Sequence, residues 1–440
     1  MDPVSVYFFI ENISQIVKNW WWVPVPFILW KPFLYLFLHW RVDLFLNQQT
    51  TIVLEIRLPK ETFKPIRAME VVVSSIHAAM YQPPGSLWEK WIDGQVQLSV
   101  CIELVSIDGY PHFFIRIPVQ YRDAVESSIY SQFPEIEILE VDDYTKYVPQ
   151  SIPNKDWDLF GSDYKLLKED YYPIKTYPEF ERESPLEAVE EKKVDPIAGL
   201  LEAMAKIKKG EQLWIQFLLD PISDADLPKS LSKWEKKGKE LRDKLARRTS
   251  EAKPSKPIIQ EAAEILITGK YDQTKEETKE IIPPEMKLTP GEREVLAAIE
   301  KKMSKPVFVA TVRFIYLGKR DVFFKQNFRL AFTYFSQYAT NNLNALQPNG
   351  KTLTKIHKSV VFPPLNLIRK RRHYLRCRRL FRHYVKRLSP FFPRPGGTFM
   401  LNTEEVASLF HFPSEKSAPS PSFSRIETKR KGSSSSLPTE

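Results

Sequence analysis

VQLSVCIELVSIDGYPHFFIRIP, residues 96–118, is the stretch from which the fold can be read. Val96, Leu98, Val100, Ile102 and Leu104 alternate onto one face, which is the period of a half-buried strand. Asp108 and Gly109 then supply the residue pair of a two-residue hairpin turn, and YPHFFIRIP returns as the second arm. Upstream, IVLEIRL (residues 52–58) reads as a strand. After it, Ile66, Met69, Val72, Val73, Ile76 and Met80 recur at three and four residues on a helix opened by Pro65. Downstream, a helix around residues 122–133 precedes the strand EIEILEV (residues 135–141). The order is βαββαβ, so residues 50–145 are expected to form a ferredoxin-like α+β domain with helices on one face of an antiparallel sheet.

A second α+β domain is expected over residues 155–350. WDLFGSDYKLL (157–167), QLWIQFLL (212–219) and PVFVATVRFIYLG (306–318) read as strands. Asp195 and Pro196 form an N-cap and first-turn pair for a helix ending near Gly210, and the aromatic-rich stretch 322–338 supplies another. Residues 221–304 interrupt this plan as a charged helical insertion, in which SKWEKKGKELRDKLARR offers only Trp234, Leu241 and Leu245 as a narrow apolar stripe. The pattern fits a second ferredoxin-like domain and other α+β sandwiches alike.

Near the N-terminus, WWWVPVPFILWKPFLYLFLHW (residues 20–40) carries one charge, Lys31. Trp20, Trp21 and Trp22 stand at one end, Trp40 at the other and Trp30 between, the placing of aromatic belts at a membrane surface. Residues 1–48 are therefore expected to be a single-pass transmembrane anchor, with an interfacial or re-entrant hairpin and a buried soluble element as the alternatives. Lys18 before the span and Arg41, Arg57 and Lys60 after it point to a cytoplasmic C-terminal region. Two cysteines, Cys101 and Cys377, make no disulfide framework. From Pro413 the composition turns to Ser, Pro and Lys, so residues 413–440 are expected to be a disordered tail.

Motifs of catalysis are few. Gly350-Lys351-Thr352 contains the GKT of a phosphate loop, but Ala345 stands where the first glycine belongs and no apolar strand precedes it. The seven histidines lack the spacing of a metal site, and no nucleophile motif occurs. The expectation is a non-catalytic protein without metal or cofactor. Charge is another matter. Residues 351–389 hold thirteen Lys and Arg and no acid against a whole-chain net charge of +10, so all the excess positive charge is local. Within a basic helical segment spanning 351–412, Arg369, Lys370, Arg371, Arg372, Arg376, Arg379, Arg382 and Lys386 are the candidate contacts for nucleic acid or another anionic partner. Tyr374, Phe381 and Tyr384 could stack on bases. Three readings stay open: single-stranded DNA, anionic lipid headgroups, or a structural surface whose aromatics face the core while its arginines are solvated or pair with Glu135, Glu137 and Glu140.

LEIRLPKETFKPIRAMEVVVSSIH (54–77) and ELVSIDGYPHFFIRIPVQYRDAVESSIYSQFPEIEILEVDDY (103–144) resemble a region ahead of the motor in conjugation-type ATPases, the HerA-like and TraC-like DNA-transfer proteins of type IV secretion systems. DPIAGLLEAMAKIKKGEQLWIQFLLDP (195–221) and LNTEEVASLFHFP (401–413) are similar to the same family. The family's Walker lysine and Walker acid have no counterpart here. The resemblance therefore implies a membrane-anchored, non-catalytic component of a conjugation or type IV secretion-like assembly moving DNA or protein. Its expected partners are a separate motor ATPase or other secretion-system subunits, the membrane and a further copy of itself in a homo-oligomer.

Overall fold

A computed structural model describes residues 18–19, 22–59, 64–183, 195–223, 234–245, 288–356, 358, 366–389 and 397–413. The chain divides into two compact units, residues 1–51 with 82–98 and residues 52–81 with 99–440.

The smaller unit is built on helix α1 (Pro24–Gln48), whose first-turn proline sits where a missing N–H costs no hydrogen bond. Phe27, Trp30, Phe33, Leu36 and Trp40 are each more than half exposed, so apolar side chains cover α1 on several sides. The single-pass expectation finds no support here: among the described residues, no helix is long and apolar enough to cross a membrane. Lys31 divides α1, and Arg41 and Asp43 charge its last third. Between Lys31 and Arg41 the uncharged run spans about 14 Å of helix, against a hydrocarbon core of about 30 Å. Trp22, Trp30 and Trp40 are exposed, whereas Trp20 and Trp21 lie outside the described residues.

The larger unit is α+β around one large antiparallel sheet. Strand β1 (Thr51–Arg57), helix α2 (Ile66–Met80), strands β2 (Val100–Ile107) and β3 (Tyr110–Pro118), helix α3 (Arg122–Gln132) and strand β4 (Glu137–Val141) follow in the expected order. Along α2, Ala68, Met69, Val72, Val73, Ile76 and Met80 are buried, the stripe that the spacing requires. Asp108 (φ 54°) and Gly109 (φ 88°) both take left-handed conformations in the β2–β3 turn. The chain continues through β5 (Trp157–Leu166), α4 (Tyr177–Glu183), α5 (Ala198–Ala205), β6 (Glu211–Ile222), α6 (Trp234–Leu245), α7 (Pro290–Met303), β7 (Val307–Lys319), α8 (Arg329–Ser336), β8 (Leu346–Pro348), α9 (Arg369–Val385), β9 (Thr398–Asn402) and α10 (Thr403–Leu409).

The strands lie in the order β4-β1-β3-β2-β6-β7-β5-β8, with β9 pairing with β7 beside them. The order β2-β3-β1-β4 on one side is repeated as β6-β7-β5-β8 on the other. Between the halves, β2 and β6 pair antiparallel from Val100↔Leu219 to Ile107↔Gln212, so the sheet runs without a break from residues of the first half to those of the second.

Both faces of this sheet are covered. On one, Phe113 meets Phe410 and Phe412 edge-on, and Phe217 packs against Phe335 of α8. On the other, Val105, Leu159, Trp214, Ile315 and Leu317 form a cluster with Cys377, Leu380, Phe381 and Tyr384 of α9. The one-sided alternation expected for β2 is corrected accordingly. Residues 100–106 are all buried because α9 shields the face that would otherwise meet water, and residues 96–98 lie before the strand. Gly161 of β5 permits the close packing: a Cβ there would lie 2.4 Å from the Phe314 carbonyl oxygen and 2.9 Å from Leu380.

The insertion contributes packing too. Trp234 of α6 is buried and its ring stacks on Tyr171 at 4.3 Å between centroids. Helix α7 starts with a complete Thr289/Glu292 capping box, and α10 with an Asn402/Glu405 box. Every residue of α10 is buried. Lys302 of α7 pairs with Glu405 at 3.0 Å, both side chains fully enclosed, while Glu404 takes Lys301 at 2.7 Å and Lys305 at 2.6 Å. The LNTEEVASLFHFP stretch is thus an internal brace whose acids pair with three lysines, Lys301 and Lys302 at the insertion's end and Lys305 just past it.

Candidate nucleic-acid interface

The GKT stretch folds as a turn after β8, not as a loop leading into a helix. Asn349 organises it: its carbonyl accepts the N–H groups of Thr352 and Leu353, and its Oδ1 accepts that of Lys351 at 3.1 Å. Thr352 and Thr354 then serve β5, their hydroxyls accepting the N–H groups of Asp163 and Gly161 at 3.0 and 3.1 Å. The backbone amides of Lys351, Thr352 and Leu353, which a phosphate would need, are consumed in building this edge.

Helix α9 is amphipathic in an unusual sense, with an apolar underside and a cationic outside. Cys377, Leu380, Phe381 and Tyr384 lie at steps of three, one and three, the spacing that places side chains on one face. These four seat the helix on the sheet. Lys370, Arg371, Arg372, Arg378, Arg379, Arg382 and Lys386 are exposed, and Arg369 and Arg376 are half-buried. Arg376 donates to the Leu353 carbonyl at 2.7 Å, and Arg378 to the Tyr374 hydroxyl at 3.1 Å. Among the described residues, no carboxylate lies within ion-pair distance of the seven exposed cations. Of the acids that might have paired with them, Glu140 takes Arg122 at 2.6 Å and Glu137 takes Arg57 at 3.8 Å.

Two buried charge pairs lie beneath α9. Arg387, in a left-handed conformation (φ 51°) just past the helix, turns back into the sheet. Its Nε and Nη2 donate to Glu103 at 3.0 and 3.2 Å, and its Nη1 and Nη2 to Asp143 at 2.5 and 3.0 Å. Glu103 also accepts from Gln216 (2.6 Å) and the Tyr144 hydroxyl (2.9 Å), which sits 2.8 Å from that of Tyr384. Glu103 and Gln216 are register partners across the β2–β6 junction, so Arg387 fastens α9 directly over the join between the halves. Further along, Arg313 and Asp163 meet at 3.2 Å, and Arg313 Nη2 donates to the Leu388 carbonyl at 2.7 Å.

These surroundings tune the titrating groups on α9 and beneath it. Burial, reinforced by the neighbouring guanidinium groups of Arg313, Arg379 and Arg382, pushes the His383 imidazole down to about 4. Burial also pushes the Cys377 thiol up to about 12, which leaves it a packing residue without thiolate character. Burial pushes Asp163 up against the opposing pull of Arg313.

Of the candidate contacts, Lys370, Arg371, Arg372, Arg379, Arg382 and Lys386 lie exposed along α9, and Arg369 and Arg376 are partly drawn in. Phe381 and Tyr384 belong to the core, whereas Tyr374 is 38 % exposed. The sequence reading missed Arg378 as an exposed cation and Arg387 as a buried one. The signal for Arg387 was Glu103, a lone acid inside an otherwise apolar strand, which needs a buried partner once both sheet faces are closed.

A family model matches residues 48–421, and its description is a domain of unknown function (DUF8128). The chain belongs to this family. Among curated proteins, none matches the chain. The match spans β1 to α10 and so covers both sheet halves, the insertion, α9 and α10. Among the described residues, no group of three or more His, Cys, Asp and Glu side chains is placed to hold a metal ion.

Proposed function

We propose that this DUF8128 protein is a non-catalytic component of a DNA-translocating assembly, and that it holds single-stranded nucleic acid along the outer face of α9. The observation that carries this reading is the row of seven exposed cations, without ion-pair partners among the described residues, on a helix whose seating depends on other residues. Like charges at neighbouring helical positions repel and lower stability, so such a row is a cost to the fold that a polyanion would relieve. From Lys370 to Lys386 it extends about 24 Å, the reach of a few nucleotides of single strand.

The resemblance of residues 54–77, 103–144, 195–221 and 401–413 to conjugation-type ATPases supports DNA transfer as the setting, with the motor ATPase as a separate partner. In this reading each half of the sheet is a ferredoxin-like βαββαβ unit, the two joined edge to edge, and the repeated strand order is what supports it. The aromatic, partly charged α1 attaches the protein to the membrane surface as an interfacial helix, with the larger unit on the cytoplasmic side.

Binding of labelled single strands to the full-length chain tests the reading. With about five phosphate contacts the logarithmic salt slope is roughly −3.5, so affinity falls about 100-fold from about 50 to about 200 mM salt. Replacing Arg371, Arg382 and Lys386 with Gln removes about 2 from that slope. Absence of binding at the lower salt would refute the proposal.

A further inference from the structure

A cleft of about 950 Å³ opens where the first half of α9 meets the loop before β5 and the end of β7. Lys155, Arg320 and Lys370 bring three cations to its walls, facing a single acid, Asp158. Arg320 is committed: its Nη1 lies 3.3 Å from Asp158, and its Nε donates to the Asn154 carbonyl at 3.0 Å. Lys155 and Lys370 are exposed, and among the described residues neither has an ion-pair partner.

Tyr374 lines the same cleft. The Arg378 guanidinium lies 6.0 Å from its ring centroid and donates to its hydroxyl, which restrains the ring while leaving it 38 % exposed. Free cations and an ordered aromatic surface in one cleft are the elements that recognise a phosphate and a base together. A volume of this order accommodates a nucleotide-sized ligand.

The geometry points to a nucleotide seat: one nucleotide of a bound single strand enters this cleft, its phosphate between Lys155 and Lys370 and its base stacked on Tyr374. The assignment rests on the proposed function and adds to it a fixed register for the strand that continues along α9. Because Lys155 comes from outside α9, the seat can be tested apart from the helix's outer face.

Thymidine 5′-monophosphate and an oligothymidylate of about twenty nucleotides are titrated against the full-length chain at low salt. Lys155→Gln and Tyr374→Ala each weaken the mononucleotide by about tenfold or more, while Tyr374→Phe, which keeps the ring, stays within about threefold of wild type. Replacing Arg371, Arg382 and Lys386 with Gln weakens the oligomer and leaves the mononucleotide within about twofold. Oligomer binding without mononucleotide binding, or mononucleotide binding indifferent to Lys155→Gln and Tyr374→Ala, overturns the seat and leaves the helix reading standing. Inorganic phosphate competing as well as the mononucleotide overturns the base-stacking assignment. Failure of the oligomer itself to bind overturns the proposed function as well.

Discussion

Replacing Arg387 with Met removes the guanidinium that donates to Glu103 through both Nε and Nη2, and the consequence can be worked from the geometry. The Arg387 side chain is 2 % exposed and that of Glu103 0 %, so the orphaned carboxylate cannot recover hydration. Breaking a buried pair in this way costs about 3–5 kcal/mol. The lower end applies here, because Gln216 and Tyr144 still donate to Glu103, and Asp143, with 19 % of its side chain exposed, can turn to water. Urea unfolding followed by circular dichroism should therefore show a loss of about 3 kcal/mol, and Arg387→Met combined with Glu103→Gln should recover at least half of it, since a neutral amide leaves no charge behind. Burial pushes the Asp143 carboxyl up, but the hydrogen bonds and charge of Arg387, with those of Thr145, outweigh this and hold it below the ordinary 3.8. That contribution is complete above 3.8 and is lost as pH falls through the lower folded value, so the gap between wild type and Arg387→Met should narrow in acid. A single substitution within 1 kcal/mol of wild type, or a double substitution as unstable as the single, would refute the clamp.

Three further outcomes follow from the same structure. Burial pushes the Asp220 carboxyl up to about 6 and its Oδ1 lacks a hydrogen-bond partner, so its ionisation weakens the fold as pH rises from 3.8 towards 6. Asp220→Asn should gain about 1–3 kcal/mol at neutral pH and nothing near pH 4 in paired urea titrations; a loss at neutral pH would contradict this. His383 stays neutral in the fold down to about 4 whereas the unfolded chain protonates near 6.5, so stability falls between 6.5 and 4, and His383→Gln should flatten that decline; parallel curves would show that another group is responsible. Finally, full-length protein should float with anionic vesicles and be released by high salt or carbonate, as an interfacial helix is, while a chain beginning at Gln49 should stay at the bottom of the gradient; retention through carbonate would argue for a true span.

How far the sequence foretold this arrangement depended on whether the physics was local. The β2–β3 turn was legible because Asp108-Gly109 satisfies positive φ from its own composition, and the α10 start because Asn402 and Glu405 complete a box four residues long. The seating of α9 was half legible. Phe381 and Tyr384 face the core, as one of the three readings had it, yet they share an apolar stripe with Cys377 and Leu380, while Tyr374 is 38 % exposed. The number of arginines around the stripe concealed how much it covers. Neither the β2–β6 junction nor the Arg387 clamp leaves a local trace, since each joins residues separated by a hundred or more positions. For α1, tryptophan placement and overall apolarity suggested a span, which finds no support among the described residues, where Lys31, Arg41 and Asp43 interrupt the apolar run.

The β2–β6 junction also bears on how this molecule stays out of aggregates. Eight consecutive residue pairs are satisfied there, and in either half alone the same row of N–H and C=O groups would be a long, apolar, sticky rim ready to recruit a stranger. Mating the two rims inside one chain leaves, among the described residues, β4, five residues long, and β8, three residues long, as the ends of the strand row, with β9 paired on one side to β7. Expression of either half by itself would set that rim free, and the first partner it met would be another copy of itself.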